Sequence, residues 1–176
     1  MTKVKYAKLK GMTAFILLTL FDQLTKYVAI VRLKGQASVV LIHGALEFRY
    51  LENRGMAFGL LQGKLPFLIF ICLIFFAVAA YVYVKTPSVR YYTPFLYTLA
   101  VVFSGAAGNF IDRIYRGYVV DFIYFSLIDF PTFNVADIYV TCGILLLVLL
   151  ICFRYKGDSD FDFLKPKEKR PDSPDI

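Results

Sequence analysis

The chain has no tryptophan, a single histidine and only three cysteines in 176 residues. The lone His43 lies in a polar loop with no metal-ligating companion at useful spacing, so it reads as a surface residue and no metal or other cofactor is expected. Cys72, Cys142 and Cys152 all fall inside apolar runs. An odd number in such places argues against a disulfide framework, and with no histidine nearby they read as small core hydrophobes rather than nucleophiles. Charge is also scarce, at 19% of residues.

What is abundant is hydrocarbon. The chain is 59% hydrophobic with a mean hydropathy of +0.62, against roughly 45–50% apolar in a soluble domain. Phenylalanine (18) and tyrosine (13) supply the aromatics, which suit membrane cores and interfaces. The net charge of +7 is concentrated at the ends. Lys3, Lys5, Lys8 and Lys10 precede the first apolar run, and Arg154, Lys156, Lys165, Lys167, Lys169 and Arg170 follow the last. Nucleic-acid binding is the other meaning of a basic chain, but charges that flank apolar spans and sit in tails argue against it.

Four runs have the roughly 20 residues needed to cross a bilayer: about 11–31, 65–85, 94–114 and 136–154. The first follows a basic stretch, as a signal peptide would. No small-residue cleavage site follows it, and it contains Asp22 and Lys26, so it reads as a retained helix. The predicted fold class is therefore an all-α membrane protein of four transmembrane helices, with both basic termini in the cytoplasm. The loops 32–64 and 115–135 then face outward. Arg32, Lys34, Arg49, Arg54 and Lys64 in the first of them blur this bias without reversing it. Residues 37–51, ASVVLIHGALEFRYL, are β-branched and aromatic around a central glycine. They predict a small extracytoplasmic β element within residues 35–55. Residues 1–157 form the membrane domain. The tail 158–176, rich in Pro, Lys, Asp and Ser, predicts disorder.

Polar residues inside such spans need a reason, because an aspartate at the centre of a spanning helix costs about 2.5–3.5 kcal/mol. In FDQLTK, Asp22 and Lys26 stand four apart on one helix face and can pair; the pair either makes both charges tolerable or anchors a site. LENRGMAFG places Asn53 and Arg54 before Gly55, Ala57 and Gly59, where small residues allow close backbone approach. An ordinary polar turn accounts for it equally well. In GAAGNFIDR, Gly105 and Gly108 permit tight helix packing, and Asn109, Asp112 and Arg113 share a face. A helix-end salt bridge explains Arg113 but not the deeper Asn109. Asn134 and Asp137 in FPTFNVAD match a capping box at the head of the last span. Capping explains Asp137 by itself. It leaves Asp121 unexplained, an acid in GYVVDFI bracketed by Val119, Val120, Phe122 and Ile123.

These five stretches, in this order and spanning residues 21–137, resemble the lipoprotein signal peptidases, the type II signal peptidases of bacteria. No polar position departs from the pattern. The resemblance implies an intramembrane aspartyl endopeptidase of the bacterial inner membrane, with its active site near the extracytoplasmic face. Its substrate would be a diacylglyceryl-modified prolipoprotein, cut just before the lipidated cysteine. Membrane lipid and globomycin-type inhibitors are the other implied partners. By motif position Asp121 and Asp137 would be the catalytic pair. Asp22, Lys26, Asn53, Gly55, Asn109, Asp112, Arg113 and Asn134 would line and brace the site. Two readings from other classes stay open on the residues alone. A proton-coupled transporter also carries intramembrane acids, though usually with more spans. A non-enzymatic four-helix assembly factor would hold these polar groups for structure only. A presenilin-like protease is disfavoured, since the chain has no Gly-x-Gly-Asp motif.

Overall fold

The computed structural model describes residues 2–55, 61–157 and 159–165. Four helices in it are long and apolar enough to cross a membrane. They are α1 (Ala7–Leu33), α2 (Leu65–Lys85), α3 (Thr93–Arg116) and α4 (Val135–Phe153). Each lies over a predicted span. Helix α1 starts four residues before the apolar run, because the Lys8–Lys10 stretch continues the helix into the polar boundary. Prolines at the first turns of α2 and α3 suit helix starts, where the missing N–H costs nothing.

Helix α3 is the centre of the bundle. In its most apolar stretch 61% of residues are buried, against 22%, 17% and 11% in α1, α2 and α4. The outer helices turn Leu17, Leu20 and Leu24, Phe70 and Val84, and Leu145 and Leu149 outward, as a hydrocarbon solvent allows. Two glycines let α3 lie close to its neighbours. A Cβ at Gly105 would meet the Ala136 carbonyl and Val140 of α4, and one at Gly108 would strike the Asp22 carboxylate of α1.

The β element is larger than the sequence predicts. Strands β1 (Val39–Ile42) and β2 (Leu46–Asn53) form the expected hairpin, but β3 (Val119–Phe125) and β4 (Phe130–Phe133) extend it to an antiparallel sheet of order β1-β2-β3-β4. GYVVDFI is thus a strand rather than a loop. Val119, Val120, Asp121 and Phe122 are all buried, so the strand has no polar face and no visible alternation. The sheet lies on the C-terminal end of α1, where Val120 and Phe122 pack with Ala29 and Leu33.

At the opposite end of the bundle the termini meet. Val4 N–H donates to the Ser88 carbonyl and Arg90 N–H to the Thr2 carbonyl, both at 3.0 Å. Tyr92, Phe95, Tyr155, Phe161 and Phe163 interlock here as edge-to-face and stacked rings. Tyr92 Oη donates to the Asp160 carbonyl at 2.7 Å. The expected disorder of the tail therefore does not extend to residues 159–165. Two phenylalanines there find an aromatic surface, which a purely polar segment could not. The remainder of the predicted tail, 166–176, lies outside the described residues, as do Ala57 and Gly59 of the NRGMAFG stretch.

Candidate active site

The polar residues singled out in the sequence converge where α1, α3, the head of α4 and the sheet meet. Helix α3 ends at Gly117, whose left-handed φ of 76° reverses the chain into β3. Asp121 follows four residues later, 1% exposed. Its register partner on β2 is Leu51, so Asn53, two residues along, shares its face. Asn53 Nδ2 donates to Asp121 Oδ2 at 2.9 Å, and Asn134 Nδ2 donates to Oδ1 at 2.6 Å.

Asn134 is also the N-cap of α4. Its Oδ1 accepts the Asp137 N–H at 3.1 Å, and Asp137 Oδ2 accepts the Asn134 N–H at 3.0 Å. The capping box is real, and it does not exhaust Asp137. The other oxygen, Oδ1, accepts Asn109 Nδ2 at 2.7 Å. Asn134 thus touches both carboxyls, that of Asp121 through its side-chain amide and that of Asp137 through its backbone N–H. Asp121 is buried and Asp137 half-buried.

The amide orientations follow from their partners. Lys26 Nζ lies 2.9 Å from Asn109 Oδ1. An ammonium only donates, so Asn109 must turn its NH2 toward Asp137. The Asp137 N–H likewise fixes Asn134 Oδ1 and turns its NH2 toward Asp121 and Asn109 Oδ1, the latter at 3.1 Å. Both acids receive N–H donors from amides that cannot flip without stranding a donor against a donor.

Beneath this layer is a set of buried charges. Asp22, Lys26 and Asp112 are each 0% exposed. Lys26 pairs with Asp22 at 3.0 Å, as its spacing predicts, and also with Asp112 at 3.2 Å. Arg116 closes on Asp112 Oδ1. Two positive and two negative groups leave the cluster neutral, the condition under which buried charge is tolerable. Among the described residues Arg113 does not reach a carboxylate. It donates to the Gly55 carbonyl at 3.0 Å and so ties the turn after β2 to α3. Gly55 N–H in turn donates to Asn53 Oδ1 at 2.9 Å. Among the described residues Ser126 Oγ is the only buried side-chain polar atom without a partner, so the network is saturated.

Gln23 and Arg116 belong to the site and were missed. Gln23 Nε2 donates to Gly108 O at 3.0 Å and to Asp112 Oδ1 at 3.2 Å. The available signals were an amide next to Asp22 inside an apolar helix, and an arginine four residues beyond Asp112.

Burial pushes the Asp121 carboxyl from 3.8 up to about 7. The neighbouring Asp137 charge adds to that rise, while hydrogen bonds from Asn53 and Asn134 and the charge on Lys26 oppose it. A buried carboxyl beside a second carboxyl holds its proton near neutral pH. The arrangement can do proton-transfer chemistry with no group beyond its own side chains.

Known proteins resemble this chain over most of its length. The family model described as signal peptidase (SPase) II matches residues 14–153. A lipoprotein signal peptidase of Caldanaerobacter subterraneus subsp. tengcongensis is 43% identical over 134 residues, 76% of this chain and 89% of that protein. One from Caldicellulosiruptor bescii is 39% identical over 156 residues, 89% and 95% of the two chains. A solved bacterial membrane enzyme superposes with a TM-score of 0.75 at 29% identity, covering 97% of this chain and 98% of that one.

Proposed function

The chain belongs to the signal peptidase II family, and from that premise we propose that it is an intramembrane aspartyl endopeptidase whose catalytic pair is Asp121 and Asp137. Its substrate is a diacylglyceryl-modified prolipoprotein, cut on the N-terminal side of the lipidated cysteine. The observation that carries this reading is the convergence of the two carboxyls on Asn134, that of Asp121 on its side-chain amide and that of Asp137 on its backbone N–H.

The pair holds one proton near neutral pH and titrates as a unit. Its ionised member acts as general base on a water, while the protonated member hydrogen-bonds the scissile carbonyl and later donates to the leaving amine. Asp137 is the more accessible of the two and takes the water. Burial favours the proton on Asp121. Asn109 and Arg113 hold the peptide backbone and the developing oxyanion, since both amide N–H groups of Asn134 are taken by Asp121 and Asn109. Both basic termini lie in the cytoplasm by the positive-inside rule. The sheet and the site, at the other end of the bundle, then sit near the extracytoplasmic face, where a substrate's lipid chains lie between helices. Globomycin-type inhibitors occupy the same site.

The test is direct. Purified protein is incubated with a diacylglyceryl-modified prolipoprotein and the products are weighed by mass spectrometry. Cleavage before the modified cysteine is expected from the parent and not from Asp121→Asn or Asp137→Asn. Retained cleavage in both variants would sink the dyad.

A further inference from the structure

Asp22 and Asp112 stand in matching relations to the two acids. Asp22 Oδ1 accepts the N–H of Ala136 at 2.9 Å, and Asp112 Oδ2 accepts the N–H of Val120 at 3.0 Å. Ala136 immediately precedes Asp137, and Val120 immediately precedes Asp121. Both carboxylates share one ammonium, that of Lys26, and the same ammonium orients Asn109 on Asp137. We propose that Asp22, Lys26 and Asp112 form a caliper: positioning residues that set the separation of Asp121 and Asp137 by gripping the backbone one residue upstream of each. The proposal rests on the dyad assignment.

Three points carry it beyond scaffolding. Buried ion networks are poor stabilisers, since apolar residues of like volume often serve as well or better, so three fully buried charges ask for another role. Bonds to ionised groups are shorter and about twice as strong as neutral ones. They suit a task that tolerates little drift, because misplacing a reacting group by about 1 Å can cost 100-fold in rate. Finally, the neighbouring glycine has no room to give. A side chain at Gly108 would strike the Asp22 carboxylate.

A caliper has a signature that a scaffold lacks. Two carboxyls titrate at well-separated values because they repel at short range. Loosening either arm weakens that repulsion and draws the two limbs of the pH profile together. The charged groups that join the polar network about the pair are Asp22 and Lys26 of α1 and Asp112, Arg113 and Arg116 of α3, while Glu52 of β2 stands on the opposite strand face from Asn53 and pairs with Lys34 and Arg54. Only the first three, with Arg116, lie in the gripping network.

The experiment measures kcat, KM and the pH dependence of kcat/KM for the full chain on a diacylglyceryl-modified prolipoprotein. Asp22→Asn and Asp112→Asn should each lower kcat about tenfold or more with KM within about twofold. The bell should narrow by roughly half a pH unit or more. An unchanged width, with kcat falling only in proportion to the folded fraction, would overturn the caliper. If either variant fails to accumulate, Asp22→Glu and Asp112→Glu decide. They keep the charge on Lys26 but displace the gripped backbone, and again the bell must narrow. Asp121→Asn and Asp137→Asn run alongside. If these two still cleave, it is the dyad reading that fails. If they are dead while the caliper variants keep the parent profile, only the caliper fails.

Discussion

The two ends of this bundle solve the same problem with opposite chemistry. At one end the helix termini meet over interlocked rings of Tyr92, Phe95, Tyr155, Phe161 and Phe163. At the other, Asp22, Lys26, Asp112, Asp121 and Asn134 are packed out of contact with solvent. Both ends bury their groups and both satisfy their hydrogen bonds. The aromatic end does so with contacts that tolerate substitution, since rings adjust and a lost hydroxyl leaves little behind. The charged end has no such slack, because every group there neutralises or orients another. An end built only for stability would resemble the aromatic one. The proposed chemistry would account for the polar end, which folding alone does not require.

That contrast can be broken or sharpened in order of expected effect. Asp121→Asn should lower cleavage by about 100- to 10,000-fold, the usual worth of a positioned acid or base, with the helices still folded by circular dichroism. Next, Lys26→Ala strands Asp22 and Asp112 without their shared cation. Removing one partner of a buried pair costs about 3–5 kcal/mol, so thermal unfolding in detergent should shift sharply downward. A mild shift would mean the two ends are energetically alike.

A third comparison uses pH. The Asp121 carboxyl is raised in the fold from 3.8 to about 7. The folded protein therefore holds this proton more tightly than the unfolded chain does. That contribution to stability is complete below the ordinary value and is lost as pH rises through the folded one. Asp121→Asn should thus gain stability relative to the parent between about pH 4 and pH 7. Paired melting curves across that window check it, and a flat difference would count against the burial argument.

Smaller effects belong to the aromatic end and the surface. Tyr92→Phe removes the bond to the Asp160 carbonyl and should cost about 0.5–1.5 kcal/mol, with kcat unchanged. A fall in kcat would tie the two ends together. Glu52→Ala breaks pairs with Lys34 and Arg54, which are more than half exposed, and should cost under about 1 kcal/mol.

Much of the site was legible because charge in hydrocarbon is rare and therefore conspicuous. Asp22, Lys26, Asn109, Asp112 and Asp121 announce themselves by standing in apolar runs. Asp137 was harder, since a capping acid at a helix head needs no further explanation, and the capping box is indeed formed. Arg113 reads from the sequence as a helix-end salt bridge, whereas its partner is the Gly55 carbonyl, 58 residues away along the chain. The four-stranded sheet was only half visible. Strand β3 is buried on both faces, so VVDFI shows no period of two, and its pairing with β2 joins segments separated by two whole helices.

The lengths and spacing of the apolar runs determined that this chain is a four-span membrane protein, because the length of apolar run needed to cross a bilayer is set by its thickness. The residue types and order also determined which side chains would matter, through the high cost of polar groups in lipid. Only the tertiary structure decided what those side chains do to one another. The Lys26 ammonium is shared by two carboxylates that grip the backbone beside each acid, and Asn134 spans a strand and a helix. Such relations depend on distances of about 3 Å between groups far apart in sequence. Helical spacing could forecast the pairing of Asp22 with Lys26, but Asp112 and Asp121 come to the same place through packing alone.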